Sequence, residues 1–155
     1  MTIPYFSQWD EDANERSADC GQVCVKMLAA SVGVDVRTNE LTFQTRANGT
    51  SSGLDLIKNF KLIGLDADYH VREIEGIQLG DICLVNYGQF MHKQDMKFNG
   101  LHWLVYINRD VWEVTTHDPD YFADRRDEGE NKKYPLNEWN KAFEGTFIRM
   151  TSSLS

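Results

Sequence analysis

The sequence predicts an α+β domain, and two observations carry that expectation. Through the first 64 residues the apolar positions recur at helical spacing. From residue 66 onward the period shortens to two, and β-branched and aromatic residues dominate. Helices first and strands second, rather than in alternation, point to helices packed on a mostly antiparallel sheet. At 155 residues the chain is read as one domain, 1–155, with a helical part at about 19–64 and a sheet part at about 66–150.

The elements follow from local chemistry. Ile3, Pro4, Tyr5 and Phe6 form a short apolar opening, followed by a charged loop. Asp19 is a favourable N-cap for a helix that begins at Cys20. Val23, Cys24, Met27, Leu28 and Ser31 make its apolar stripe, Val25 and Ala29 leave it little polar face, and Gly33 ends it, so this helix is expected to be central and buried. A short helix is expected at 39–46, with Asn48 and Gly49 in a turn. Ser51 or Ser52 then caps a second clear helix that places Leu54, Ile57, Phe60 and Ile63 on one face and stops at Gly64. Strands are expected at 66–71, 81–87, 101–107 and 111–116, with a polar loop at 90–100. A densely charged loop at 120–133, a last helix at 135–143 and a closing strand at 146–150 complete the chain.

Composition narrows the class. Hydrophobic residues at 41% and charged residues at 26% are ordinary for a globular chain. A net charge of −8 argues against non-specific nucleic-acid binding and against docking on anionic lipid, both of which need a basic surface. Three cysteines, Cys20, Cys24 and Cys83, are no disulfide framework. No apolar run is long enough to span a membrane, and the N-terminus lacks the regions of a signal peptide. The expected location is a reducing cytoplasm, or release by lysis or by a phage particle.

Four residues in order carry the chemistry: Gln8, Cys20, His102 and Asp118. A free thiol has a pKa of about 8.5 and needs help to ionise at neutral pH. Two aids are visible. A helix N-terminus at Cys20 favours the anion, and an imidazole can take the thiol proton and pair with the thiolate. His102, Leu104 and Tyr106 share one face of their strand, and Trp112, Val114, Thr116 and Asp118 share a face of the next. With Asn108, Arg109 and Asp110 as a three-residue turn, His102 faces Thr116 and Asp118 is its diagonal neighbour on the same face. Gln8 is the candidate oxyanion donor, since attack on an amide carbonyl puts negative charge on its oxygen.

The remaining candidates are weaker. Trp103 reads first as core and second as a wall of a substrate cleft. His117 is a candidate substrate contact on the face opposite Asp118. Cys24 and Cys83 read as buried small apolar residues. No second metal-like pair accompanies Cys20 and Cys24, so neither a metal nor a cofactor is expected.

The segments Pro4 to Asp10 and Asp19-Cys20-Gly21-Gln22, the strand Gly100-Leu101-His102-Trp103 and the pair Asp118-Pro119 resemble the bacteriocin-processing peptidase family, and in particular its stand-alone relatives. The resemblance covers nearly the whole chain. It implies a papain-like fold and a cysteine peptidase site with Cys20, His102 and Asp118 as triad and Gln8 in the oxyanion hole. The departures are a longer interval from Gln8 to Cys20, Leu101 intervening between Gly100 and His102, and the loop 120–133, which has no assigned counterpart. The expected substrate is a peptide or a peptidoglycan-type amide. The same residues are compatible with a peptidoglycan-crosslink endopeptidase of the lysis type, with an acyl or peptidyl transferase, and with an idle peptidase-like binding module.

Overall fold

A computed structural model describes residues 2–13, 16, 18–41 and 51–152. The helices are α1 (Cys20–Ser31), α2 (Gly53–Leu62) and α3 (Leu136–Ala142). The strands are β1 (Ala67–His70), β2 (Ile82–Asn86), β3 (Leu101–Arg109), β4 (Glu113–His117), β5 (Lys132–Pro135) and β6 (Phe143–Met150). They form one sheet in the order β1-β6-β2-β3-β4-β5, every pair antiparallel.

Two apolar layers sandwich the sheet. On one side Val23, Cys24, Met27 and Leu28 of α1 and Leu56 and Phe60 of α2 pack with Ile82, Trp103, Val105 and Ile148. On the other, Trp139 and Ala142 of α3 pack with Cys83, Val85, Leu104, Tyr106, Val114 and Phe147. Consecutive residues of β2 and β3 thus feed opposite layers, as the period of two requires.

Helix α1 matches its expected bounds and is buried almost all round. Asp19 occupies its N-cap position but makes no side-chain cap bond; its contribution is a backbone carbonyl that accepts from Val23 at 2.9 Å. At α2 the cap is Ser52, whose hydroxyl accepts from Asp55 N–H while the Asp55 carboxylate accepts from Ser52 N–H, a reciprocal capping box. Of the expected apolar face of α2, Phe60 is buried and Ile57 and Ile63 pack against the core, but Leu54 is 61% exposed, and Leu56 and Asn59 are buried instead. The helix is turned so that Leu56 seats on Gly21 of α1.

Of the helix expected at 39–46, a 3₁₀ turn at Thr38–Glu40 is seen and Leu41 is already extended; residues 42–46, and the turn at Asn48 and Gly49, lie outside the described residues. The charged segment 120–133 was expected to be loop throughout. It contains 3₁₀ turns over Ala123–Gly129 and the start of β5, which pairs with β4. Strand β6 starts three residues earlier than expected, directly after α3.

The β3–β4 hairpin also departs from its expected geometry. The turn is Asp110 to Glu113, closed by Asp110 N–H to Glu113 O at 3.0 Å and by the Asp110 carboxylate accepting from Trp112 and Glu113 N–H. Val111 and Trp112 therefore lie in the turn, exposed, and not in a strand. Near the turn Arg109 pairs with Val114 and Asn108 with Thr115; beyond a bulge at Ile107, Tyr106 pairs with Thr116 and Val105 with His117. The extra residue decides the site. Carried past the end of β4, the second pairing sets Asp118 level with Leu104, on the face of His102. The pairing near the turn, continued without the bulge, would set Asp118 opposite Val105, on the other face. The conclusion that His102 and Asp118 share a face holds, although the expected partner of His102, Thr116, does not.

Candidate active site

Cys20 is the first residue of α1, where unpaired backbone N–H groups concentrate positive potential. The residue after it has to be small. A Cβ on Gly21 would lie 2.8 Å from Leu56 Cδ2 and 3.1 Å from Trp103 Cδ1. Gly21 thus lets the start of α1 settle between α2 and β3.

His102 is buried at the start of β3, and its Nε2 lies 2.8 Å from Asp118 Oδ1. The Cys20 side chain is close enough to the same ring to favour its protonated form. With Nε2 committed to Asp118, Nδ1 is the nitrogen left for the thiol. Burial pulls the His102 pKa down, but the charge and hydrogen bond of Asp118, reinforced by Cys20, raise it well above the usual histidine value. Burial pushes the Asp118 carboxyl up. The His102 charge and hydrogen bond, with donors from Tyr134 and the Asp120 backbone, outweigh it and hold the group below the ordinary carboxylate range. Each partner thus favours the charged form of the other.

Asp118 has no solvent exposure, and both of its oxygens are engaged. Oδ1 accepts from His102 and from Asp120 N–H at 3.0 Å. Oδ2 accepts from the hydroxyls of Tyr87, at 2.9 Å, and Tyr134. Burial, then the Asp118 charge, raises both phenols well above their ordinary pKa, so both remain donors. The Tyr87 ring also lies 4.2 Å, centroid to centroid, from the His102 ring. Sequence reasoning missed these two tyrosines. Tyr87 follows β2 with no motif to mark it, and Tyr134 falls between the expected loop at 120–133 and the expected helix at 135–143.

Gln8 is buried beside this group. Its backbone N–H donates to Pro119 O at 2.8 Å, and its side-chain Nε2 donates to Arg16 O at 2.7 Å. That uses one of the two amide hydrogens and leaves the other for a further acceptor. Trp9, the next residue, donates from its indole to Asp120 Oδ1 at 2.8 Å.

The two weaker candidates lie elsewhere. Trp103 is core: 1% exposed, with its indole N–H donating to Ser51 O at 2.8 Å. His117 does not face a cleft. Its Nε2 donates to Ile3 O at 2.8 Å, its Nδ1 accepts from Asn131 N–H at 3.1 Å, and its ring meets Tyr5 edge to face. It pins the N-terminal segment to the end of β4. Cys24 and Cys83 are fully buried, and burial pushes both thiols well above their ordinary pKa. Among the described residues no group of three His, Cys, Asp or Glu side chains is placed to hold a metal, and no helix is long and apolar enough to cross a membrane.

A helix-borne cysteine facing a histidine–aspartate pair across a mixed helix and antiparallel-sheet scaffold is the architecture of papain-like cysteine peptidases. The chain belongs to the peptidase C39 family, whose model matches residues 12–155. Solved structures agree on the fold. A double-glycine-motif protease from an AMS/PCAT transporter, determined in complex with a leader peptide, is 18% identical with a TM-score of 0.66, over 96% of this chain and 91% of that one. The peptidase domain of Streptococcus ComA, a bifunctional ABC transporter of a quorum-sensing pathway, is 13% identical with a TM-score of 0.65, over 96% and 98% of the two chains. The same domain from Streptococcus mutans, bound to a small-molecule inhibitor, is 12% identical with a TM-score of 0.57, over 96% and 99%. No curated protein matches the chain.

Proposed function

We propose that the protein hydrolyses a peptide bond through a thioester on Cys20, with His102 and Asp118 completing a triad and Gln8 donating to the oxyanion. The observation that carries this reading is the His102 ring, held at Nε2 by a buried carboxylate and close to Cys20. Nδ1 takes the thiol proton, and the resulting thiolate is stabilised by the imidazolium and the start of α1. The thiolate attacks the carbonyl carbon and charge collects on oxygen, near the second amide hydrogen of Gln8 and the backbone N–H of Cys20. His102 then protonates the leaving amine, and water, deprotonated by the same ring, releases the acyl group. Asp118 keeps the proton on Nε2 throughout, so that Nδ1 always faces the sulfur.

A peptide of the double-glycine leader type is the favoured substrate, because the structurally similar protease was captured with a leader peptide. Iodoacetamide at neutral pH tests the nucleophile, and a synthetic peptide with a Gly-Gly site tests the substrate. Cys20 is expected to alkylate rapidly, Cys24 and Cys83 slowly, with the Cys20 rate falling in His102→Ala. Cleavage is expected to vanish in Cys20→Ala. Slow, equal alkylation of all three thiols would sink the reading.

A further inference from the structure

The charged segment that follows Asp118 folds back over the N-terminal strap that carries Gln8. Arg126 Nε donates to Asp10 Oδ1 at 2.8 Å and its Nη2 to Asp10 Oδ2 at 3.0 Å, a two-pronged charge-assisted contact. The same Nη2 reaches Tyr5 O at 3.3 Å, and the guanidinium lies over the Tyr5 ring. Asp10 in turn accepts from Ser7 N–H at 3.1 Å, while the Ser7 hydroxyl donates to Tyr121 O. Tyr5 OH donates to Asp118 O at 2.7 Å. Gln8 is therefore flanked on both sides by residues that end on Arg126 or on the 118–121 turn. Its own Oε1 is buried without a hydrogen-bond partner among the described residues. The orientation of the amide rests on its bond to Arg16 O and on where the strap holds its backbone.

We propose that Arg126 is a positioning residue for the oxyanion site: by gripping Asp10 and Tyr5 it fixes the strap that presents the Gln8 amide to the carbonyl under attack. This rests on the reading of Gln8 as oxyanion donor. The charged loop thus belongs to the catalytic apparatus without touching substrate. An error of about 1 Å in the placement of such a donor is enough to cost on the order of 100-fold in rate.

Two reactions of the same thiol separate this role from a general effect on folding. Acyl transfer from N-acetyl-Gly-Gly p-nitrophenyl ester passes through an oxyanion; alkylation by iodoacetamide displaces iodide at a saturated carbon and does not. In Arg126→Gln the acylation burst is expected to slow roughly 10–100-fold, with the alkylation rate of Cys20 unchanged. Asp10→Asn, which keeps the shape of the side chain, should behave alike. In a Gln8→Ala background Arg126→Gln should add nothing, because the donor it positions is gone. Equal slowing of acylation and alkylation, an effect additive with Gln8→Ala, or an unchanged burst would each overturn the proposal. A wild-type protein whose Cys20 alkylates no faster than Cys24 would instead overturn the peptidase mechanism itself.

Discussion

At the scale of single residues, Asp118 is where the site is decided. A lone buried carboxylate would take up a proton, because desolvation penalises its charged form. Here His102, Tyr87, Tyr134 and the Asp120 backbone all donate to it, and the anion persists. Hydrogen bonds to a charged group contribute about 1.5–3 kcal/mol each. Tyr134→Phe is accordingly expected to lower unfolding stability by about that amount in urea denaturation and to reduce turnover without abolishing it. Unchanged stability would show that the hydroxyl is dispensable to the carboxylate. Asp118→Asn keeps the shape but removes the charge. It should lower the His102 pKa in an NMR titration, since the carboxylate charge is what raises that pKa against burial. An unshifted titration would remove Asp118 from its orienting role.

At the scale of elements, the cradle of α1 is set by one missing methyl. Gly21→Ala forces a Cβ against Leu56 and Trp103, an overpacking that costs about 1–3 kcal/mol. Leu56→Ala in the same chain should recover part of that loss in a denaturant melt; a double variant no better than Gly21→Ala would place the strain elsewhere. Much of this level was legible in the sequence. Helix α1 and the strand of His102 have unbroken periodicity, and their expected bounds lie within a residue or two of the observed ones. The bulge at Ile107 was not legible, because no glycine or proline marks it and the turn was placed two residues early. The shared face survived because both the expected register and the true one keep His102 and Asp118 in the same phase. Strand β5 was missed because Lys132, Lys133, Tyr134 and Pro135 offer a single apolar side chain in a charged stretch. Its place in the sheet comes from β4, not from its own pattern.

At the scale of the molecule, the N-terminal strap and the segment after β4 are one brace, and His117 makes it sensitive to acid. Burial holds the His117 pKa below the ordinary histidine value, despite its bond to Ile3 O. The unfolded chain therefore takes up this proton more readily than the folded one. The stability His117 contributes is full above about pH 6.5 and is lost as pH falls through its folded pKa. The lowered pKa of Asp118 acts in the same sense further into the acid range. The His117 contribution to the unfolding free energy is expected to decline from pH 7 toward pH 5, against an opposing gain from His102, whose folded pKa is raised. His117→Gln, whose amide can both donate to Ile3 O and accept from Asn131, should flatten that decline; an identical slope would clear His117. The convergence on Asp118 has a further consequence, in the order of assembly. Its donors come from the ends of β2 and β3, from the turn after β4 and from the outermost strand β5, and the strap that delivers Gln8 closes over them. A nascent or half-unfolded chain carries an ordinary thiol. On the proposed mechanism the capacity to cut peptide bonds arrives with the last piece of tertiary structure, which keeps the reactive sulfur quiet while the chain's own backbone is still exposed to it.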